Sequence, residues 1–120
     1  MENEIRIRAF RATDDYETCC KFYDGHKKVL ENHGIYKVTS STDEWMGSSS
    51  VFVVVVETMD GKRLYGGARV HASDGILPLP IEQATAEMDA NILDYVKYYS
   101  LNGTGELCGL WNSVEVAGLG

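Results

Sequence analysis

Apolar and polar residues alternate from Glu4 to Arg11. Ile5, Ile7 and Ala9 fall on one side, Arg6 and Arg8 on the other, and Phe10 follows. A period of two predicts a strand with one face in water. After Thr13-Asp14-Asp15 the period lengthens: Tyr16, Cys19, Cys20, Tyr23, His26 and Leu30 recur at steps of three and four. This predicts an amphipathic helix ending near Asn32, with Asp14 and Glu17 as a capping box and Gly34 just past the last turn. Gly25 weakens that helix without breaking it.

Ile35 to Ser50 carries two loop-like runs, with one helical turn over Asp43-Glu44-Trp45-Met46 between them. Trp45 reads as a core or rim anchor. Val51 to Thr58 is a β-branched run, expected in the interior of a sheet with both faces buried. Asp60-Gly61 turns the chain, and Arg63 to Ala72 returns as the antiparallel partner. Gly66-Gly67 within that strand suggests a bulge or a close backbone approach. A loop with two prolines follows. Ile81, Ala84, Met88, Ile92, Tyr95, Val96 and Tyr99 then form one stripe, which predicts a single helix over 81–100 stopped by Asn102-Gly103. The last stretch, Gly105 to Gly120, begins as a strand and ends in Gly118-Leu119-Gly120.

The predicted order is β-α-β-β-α-β: one α/β domain over residues 1–120, a mixed sheet with central antiparallel strands flanked by helices. At 120 residues, 44% hydrophobic and 24% charged, the chain has the composition of a soluble globular domain. A net charge of −7 argues against nucleic acid as partner. Only Lys27-Lys28 and Lys62-Arg63 adjoin among the basic residues, and both read as solvated surface. Three cysteines, two of them adjacent, make a poor disulfide framework. No stretch reads as a leader or a membrane span, so a cytoplasmic protein with reduced thiols is expected. His26, His33 and His71 are isolated and match no metal-ligand spacing, so no metal is expected.

The element order, the hairpin across Asp60-Gly61 and the strand entering a Gly-x-Gly turn resemble the GNAT superfamily of N-acetyltransferases. Within it, Tyr65-Gly66-Gly67-Ala68-Arg69-Val70 is similar to the Gly-x-x-Arg-Leu strand of the acyl-homoserine-lactone (autoinducer) synthases. Glu106-Leu107-Cys108 is similar to the start of their Glu-Leu-Ser-Arg strand; Gly109 stands where the second arginine of that motif would be. Glu115 stands at the first position of the superfamily's coenzyme loop. The resemblance implies transfer of an acyl group from acyl-coenzyme A or an acyl-carrier thioester to a small amine, and a chain cut at its phosphate loop. The carrier's pantetheine would run beside Leu110, Trp111 and Asn112, and its diphosphate would rest on the N–H groups of Gly118, Leu119 and Gly120. Gly-x-Gly is equally compatible with a simple turn.

Glu106 is the candidate base, its pKa raised by Leu107 and Leu110 beside it, or else a strand-edge glutamate in water. Arg69 orients a carboxylate or fixes Glu106, or else faces outward. Cys108 shares a face with Glu106 and reads as a small core thiol. The rival class is a non-catalytic ligand-binding or dimerisation module, a homodimer formed through an exposed apolar sheet face or edge.

Overall fold

The computed structural model describes residues 4–36 and 43–113. Strand β1 spans Ile5–Arg11, helix α1 Tyr16–Asn32, strands β2 and β3 Val51–Thr58 and Leu64–Ala72, helices α2 and α3 Pro80–Thr85 and Asn91–Ser100, and strand β4 Gly105–Asn112. Short 3-10 turns lie at Ala12–Asp14 and Glu44–Gly47. The strands form one antiparallel sheet in the order β1-β2-β3-β4, flanked by helices. This is the expected mixed α/β architecture. No helix among the described residues is long and apolar enough to cross a membrane.

The core lies between one sheet face, α1 and the turn at Glu44–Gly47. It gathers Ala12, Cys19, Phe22, Trp45, Met46, Val51, Val53, Val55 and Trp111. Helix α1 is capped by Asp15, one residue later than the capping box predicts: its carboxylate accepts from the Thr18 N–H at 3.0 Å. Asp15 wins over Asp14 because it also accepts from Arg8 Nη1 at 2.9 Å and from the Thr18 hydroxyl at 2.6 Å. Gly25 has a packing reason: a β-carbon there would strike the Trp111 ring, so the glycine brings α1 down onto β4.

Two expectations are corrected. Strand β2 is interior to the sheet, but only alternate residues are fully buried; Phe52 is 39% exposed. No described element covers the opposite sheet face, where Ile5, Ile7, Phe52, Val70, Leu107 and Leu110 are exposed. On β1 the water-facing side is therefore the apolar one. Arg6 and Arg8 turn toward α1 instead, because Glu57, fully buried on β2, draws both of them.

The helix expected over 81–100 is broken. Thr85 Oγ1 donates back to the Ile81 carbonyl at 2.6 Å, and Asp89 Oδ1 accepts the Asn91 N–H at 3.0 Å. Both side chains compete locally with the helical ladder. The apolar stripe finds no wall: α3 buries no residue, and Tyr95 and Tyr99 are each 61% exposed.

Strand β4 carries the feature that shapes the site. Gly67 pairs with Trp111 and Arg69 with Cys108, so Gly109 and Leu110 together oppose Ala68. This is a β-bulge with Gly109 at φ +63°. It shifts the alternation by one, so that Glu106, Cys108 and Trp111 share the core face while Leu107 and Leu110 point the other way.

Candidate functional site

On the core face, β3 presents Arg69 and His71, and β4 presents Cys108 and Glu106 directly opposite them. Arg69 is 3% exposed, so it faces inward and the outward-facing alternative falls. Its guanidinium lies 4.7 Å over the Trp45 ring and 6.0 Å from the Phe22 ring. It makes no ion pair among the described residues, and its Nε is buried without a hydrogen-bond partner. Burial lowers the pKa of the group, partly offset by nearby Cys108 and Glu106. A buried cation without a bonded counter-ion is costly and uncommon in a fold that needs it only for packing.

His71 is 5% exposed, and its Nε2 also lacks a partner among the described residues. Burial, with Arg69 nearby, depresses its pKa to about 4, so the ring is neutral at pH 7. His26, which meets Phe22 edge to face, is lowered by burial and by Arg69 in the same way. A void of about 10 Å³, room for one water, lies against Arg69, His71, Trp45 and the Leu77-Pro78 segment. Leu77 and Pro78 also wall an open cleft of about 530 Å³ that runs to Leu93, Lys97 and Ser100. That segment therefore divides the buried pair from the cleft.

Glu106 is half-buried, and its Oε1 accepts the Ile81 N–H at 2.8 Å, which fastens the first turn of α2 to β4. Among the described residues no hydrogen bond or ion pair joins it to Arg69; the two interact through their charges alone. The apolar shielding expected from Leu107 and Leu110 is also absent: they are 66% and 75% exposed on the far face. Cys108 sits beside Arg69 with its pKa raised by burial, partly countered by Arg69, which keeps it a thiol rather than a thiolate.

Of the proposed carrier contacts, Leu110 and Asn112 are exposed while the Trp111 side chain is buried in the core, edge to face with Phe22. Gly118, Leu119 and Gly120 lie outside the described residues. Trp45 and His71 are the site residues that motif reading missed. Period two along β3 marks His71, since Gly67, Arg69 and His71 must share a face. Trp45 gives no such signal because it comes from a turn. Among the described residues, no group of three or more His, Cys, Asp or Glu side chains is placed to hold a metal ion. Comparison with protein-family models, with curated proteins and with solved structures found no match to this chain.

Proposed function

We propose that the chain is an acyltransferase of the GNAT type, moving an acyl group from acyl-coenzyme A or an acyl-carrier thioester to a small amine. The observation that carries this reading is Arg69, a buried cation without a bonded partner among the described residues, beneath the bulged strand β4. Strand β4 ends the sheet order, so its outer edge is unpaired among the described residues. An extended pantetheine arm would add to that edge by backbone hydrogen bonds near Leu110, Trp111 and Asn112. At the bulge the β3–β4 pairing departs from a regular ladder, and in this reading the thioester carbonyl lies beside it.

In this reading the amine nitrogen attacks the thioester carbon, the C–S bond breaks and the thiolate leaves. The proton released by nitrogen passes to the Glu106 carboxylate and on to the thiolate. Arg69 holds an acceptor carboxylate once Leu77-Pro78 moves aside. The test is release of free thiol from acyl-coenzyme A and acyl-carrier thioesters against a panel of small amines and amino acids. Turnover that falls at least about a hundredfold in Arg69→Met and in Glu106→Gln supports the reading. Absence of thiol release with every donor, from a folded protein, overturns it.

A second reading draws on a different observation, the uncovered apolar face of Ile5, Ile7, Phe52, Val70, Leu107 and Leu110. It is a non-catalytic module that dimerises through that face. Sedimentation analysis decides it. A dimer that Leu107→Lys with Leu110→Lys converts to monomer supports association through this face, and a wild-type monomer at high concentration rules it out.

A further inference from the structure

One lysine from each of the two basic dipeptides, which read as separate solvated surface in the sequence, is brought to the same cleft by the fold. Lys28 lies on α1, Lys62 in the turn between β2 and β3, and both line a cleft of about 300 Å³ at the C-terminal end of β4. Lys21, one helical turn pair before Lys28, lines the same cleft and donates from Nζ to the Gly61 carbonyl at 3.0 Å. That bond ties the hairpin turn to α1, so that Lys62 and Lys28 line the same cleft. Among the described residues, neither Lys28 nor Lys62 is spent on an ion pair, and Asp24 is the single acidic residue in the lining.

The floor of the cleft carries a second signal. Trp111 is 7% exposed, and among the described residues neither its indole Nε1 nor the buried hydroxyl of Ser113 has a hydrogen-bond partner. Buried donors left without acceptors are destabilising unless something accepts from them. Val29 and Leu64 supply apolar walls beside them. In a chain of net charge −7, three of the six lysines meet here. Lys21 is engaged, by the Gly61 carbonyl and by Glu17 at 3.9 Å, which leaves the Lys28 and Lys62 ammonium groups and the neutral donors to match the oxygens of a phosphate, while the apolar walls match an organic group attached to it.

We propose that this cleft binds the phosphate group of a small organic phosphate. The site stands apart from Arg69 and does not depend on acyl transfer. The phosphate has two possible sources: a free phosphorylated metabolite, or the phosphate end of a thioester carrier whose arm runs along β4.

The test is titration of the full chain, ¹⁵N-labelled, with inorganic pyrophosphate, adenosine 3′,5′-bisphosphate, coenzyme A and pantetheine at constant ionic strength. The expected result is saturable binding of the phosphorylated probes that moves the Trp111 indole N–H resonance, with pantetheine alone silent. Lys28→Glu with Lys62→Glu weakens binding at least about tenfold, and both positions are surface lysines whose change leaves the rest of the spectrum in place. Coenzyme A binding much tighter than the bisphosphate identifies the carrier as the source; equal affinities identify a free phosphate. Absence of saturable binding, binding that the double variant retains, or shifts confined to residues away from the cleft overturn the proposal. Phosphate binding without any thiol release fails the acyltransferase reading alone.

Discussion

The guanidinium of Arg69 fills the space in which a side chain at position 109 would begin. A β-carbon built on Gly109 would lie 2.6 Å from Arg69 Nε and 3.2 Å from Arg69 Cζ. The bulge, the glycine and the buried arginine are thus one device. A side chain at 109 and the present seat of Arg69 exclude each other. Gly109→Ala adds the strain of a non-glycine residue at φ +63° to that collision. We expect a loss of about 2–3 kcal/mol in urea unfolding. In an Arg69→Ala background the collision is gone, and the same substitution should cost only about 1 kcal/mol. Equal costs in both backgrounds would mean that the two residues do not share this space.

Arg69 itself should split stability from activity. Its stacking on Trp45 contributes on the order of 1–2 kcal/mol. Keeping a charge out of water without an ion pair costs several. The second effect is larger, so Arg69→Met, similar in length and uncharged, is expected to raise stability by about 1–3 kcal/mol while abolishing thiol release. Urea midpoints and the thiol assay on the same preparation check this. A destabilised Arg69→Met protein would show that the arginine serves the fold and not a ligand.

His71 predicts how stability depends on pH. Its pKa falls from 6.5 to about 4 on folding, chiefly because burial penalises the charged ring, with Arg69 adding to it. The unfolded chain therefore binds the extra proton first as pH falls. The stabilisation is complete above pH 6.5 and is lost progressively as pH drops toward 4, on the order of 2–3 kcal/mol in all. His71→Gln should flatten that part of the profile, measured as denaturation midpoints from pH 7 to pH 4.5. A profile that keeps its slope in His71→Gln would assign it to other groups.

What could be read in advance depended on whether a residue's surroundings are local in sequence. The hairpin was legible because Asp60 carries its own turn chemistry: its Oδ1 accepts the Lys62 N–H at 2.9 Å and the Thr58 hydroxyl at 2.6 Å. Helix α1 was legible from its period and from Gly34, which sits at φ +76° as a residue past the helix must. The faces were not. Period two on β1 says that Ile5 and Arg6 point opposite ways, not which way is in. That choice was made by Glu57, some fifty residues later. The 81–100 stripe failed for the same reason, since an apolar face predicts burial only when an opposing surface exists. At the site, Arg69 and Glu106 were named from motif likeness, but their relationship was not. The bulge at Gly109 decides which β4 side chains meet β3, and a glycine in a strand announces a bulge without saying which face it serves.

The Glu57 cluster is the clearest place where a distant residue holds the fold together. Glu57 is fully buried, and its Oε1 accepts from Arg8 Nε at 2.7 Å and lies 3.2 Å from Arg6 Nη2. Arg8 extends the network to Asp15 Oδ2 at 2.9 Å and the Thr18 hydroxyl at 3.0 Å, joining β2, β1 and the start of α1. Removing one partner of a buried ion pair leaves the other charged and unmatched, so Glu57→Gln should cost about 3 kcal/mol. Arg8→Met should cost less, because Arg6 remains to meet Glu57. The two variants also differ in acid. Asp15 lies below its ordinary value of 3.8: burial opposes its charge, but hydrogen bonds from Thr18 and Arg8 more than offset that. A lowered carboxylate pKa stabilises the fold above about pH 4 and ceases to do so as pH falls through the folded-state value. Arg8→Met raises that folded-state value, so its acid unfolding should begin at higher pH than in Glu57→Gln adjusted to equal stability with a little urea. Circular dichroism from pH 5 to pH 2 measures both. Coincident acid transitions would show that Arg8 does not act through Asp15.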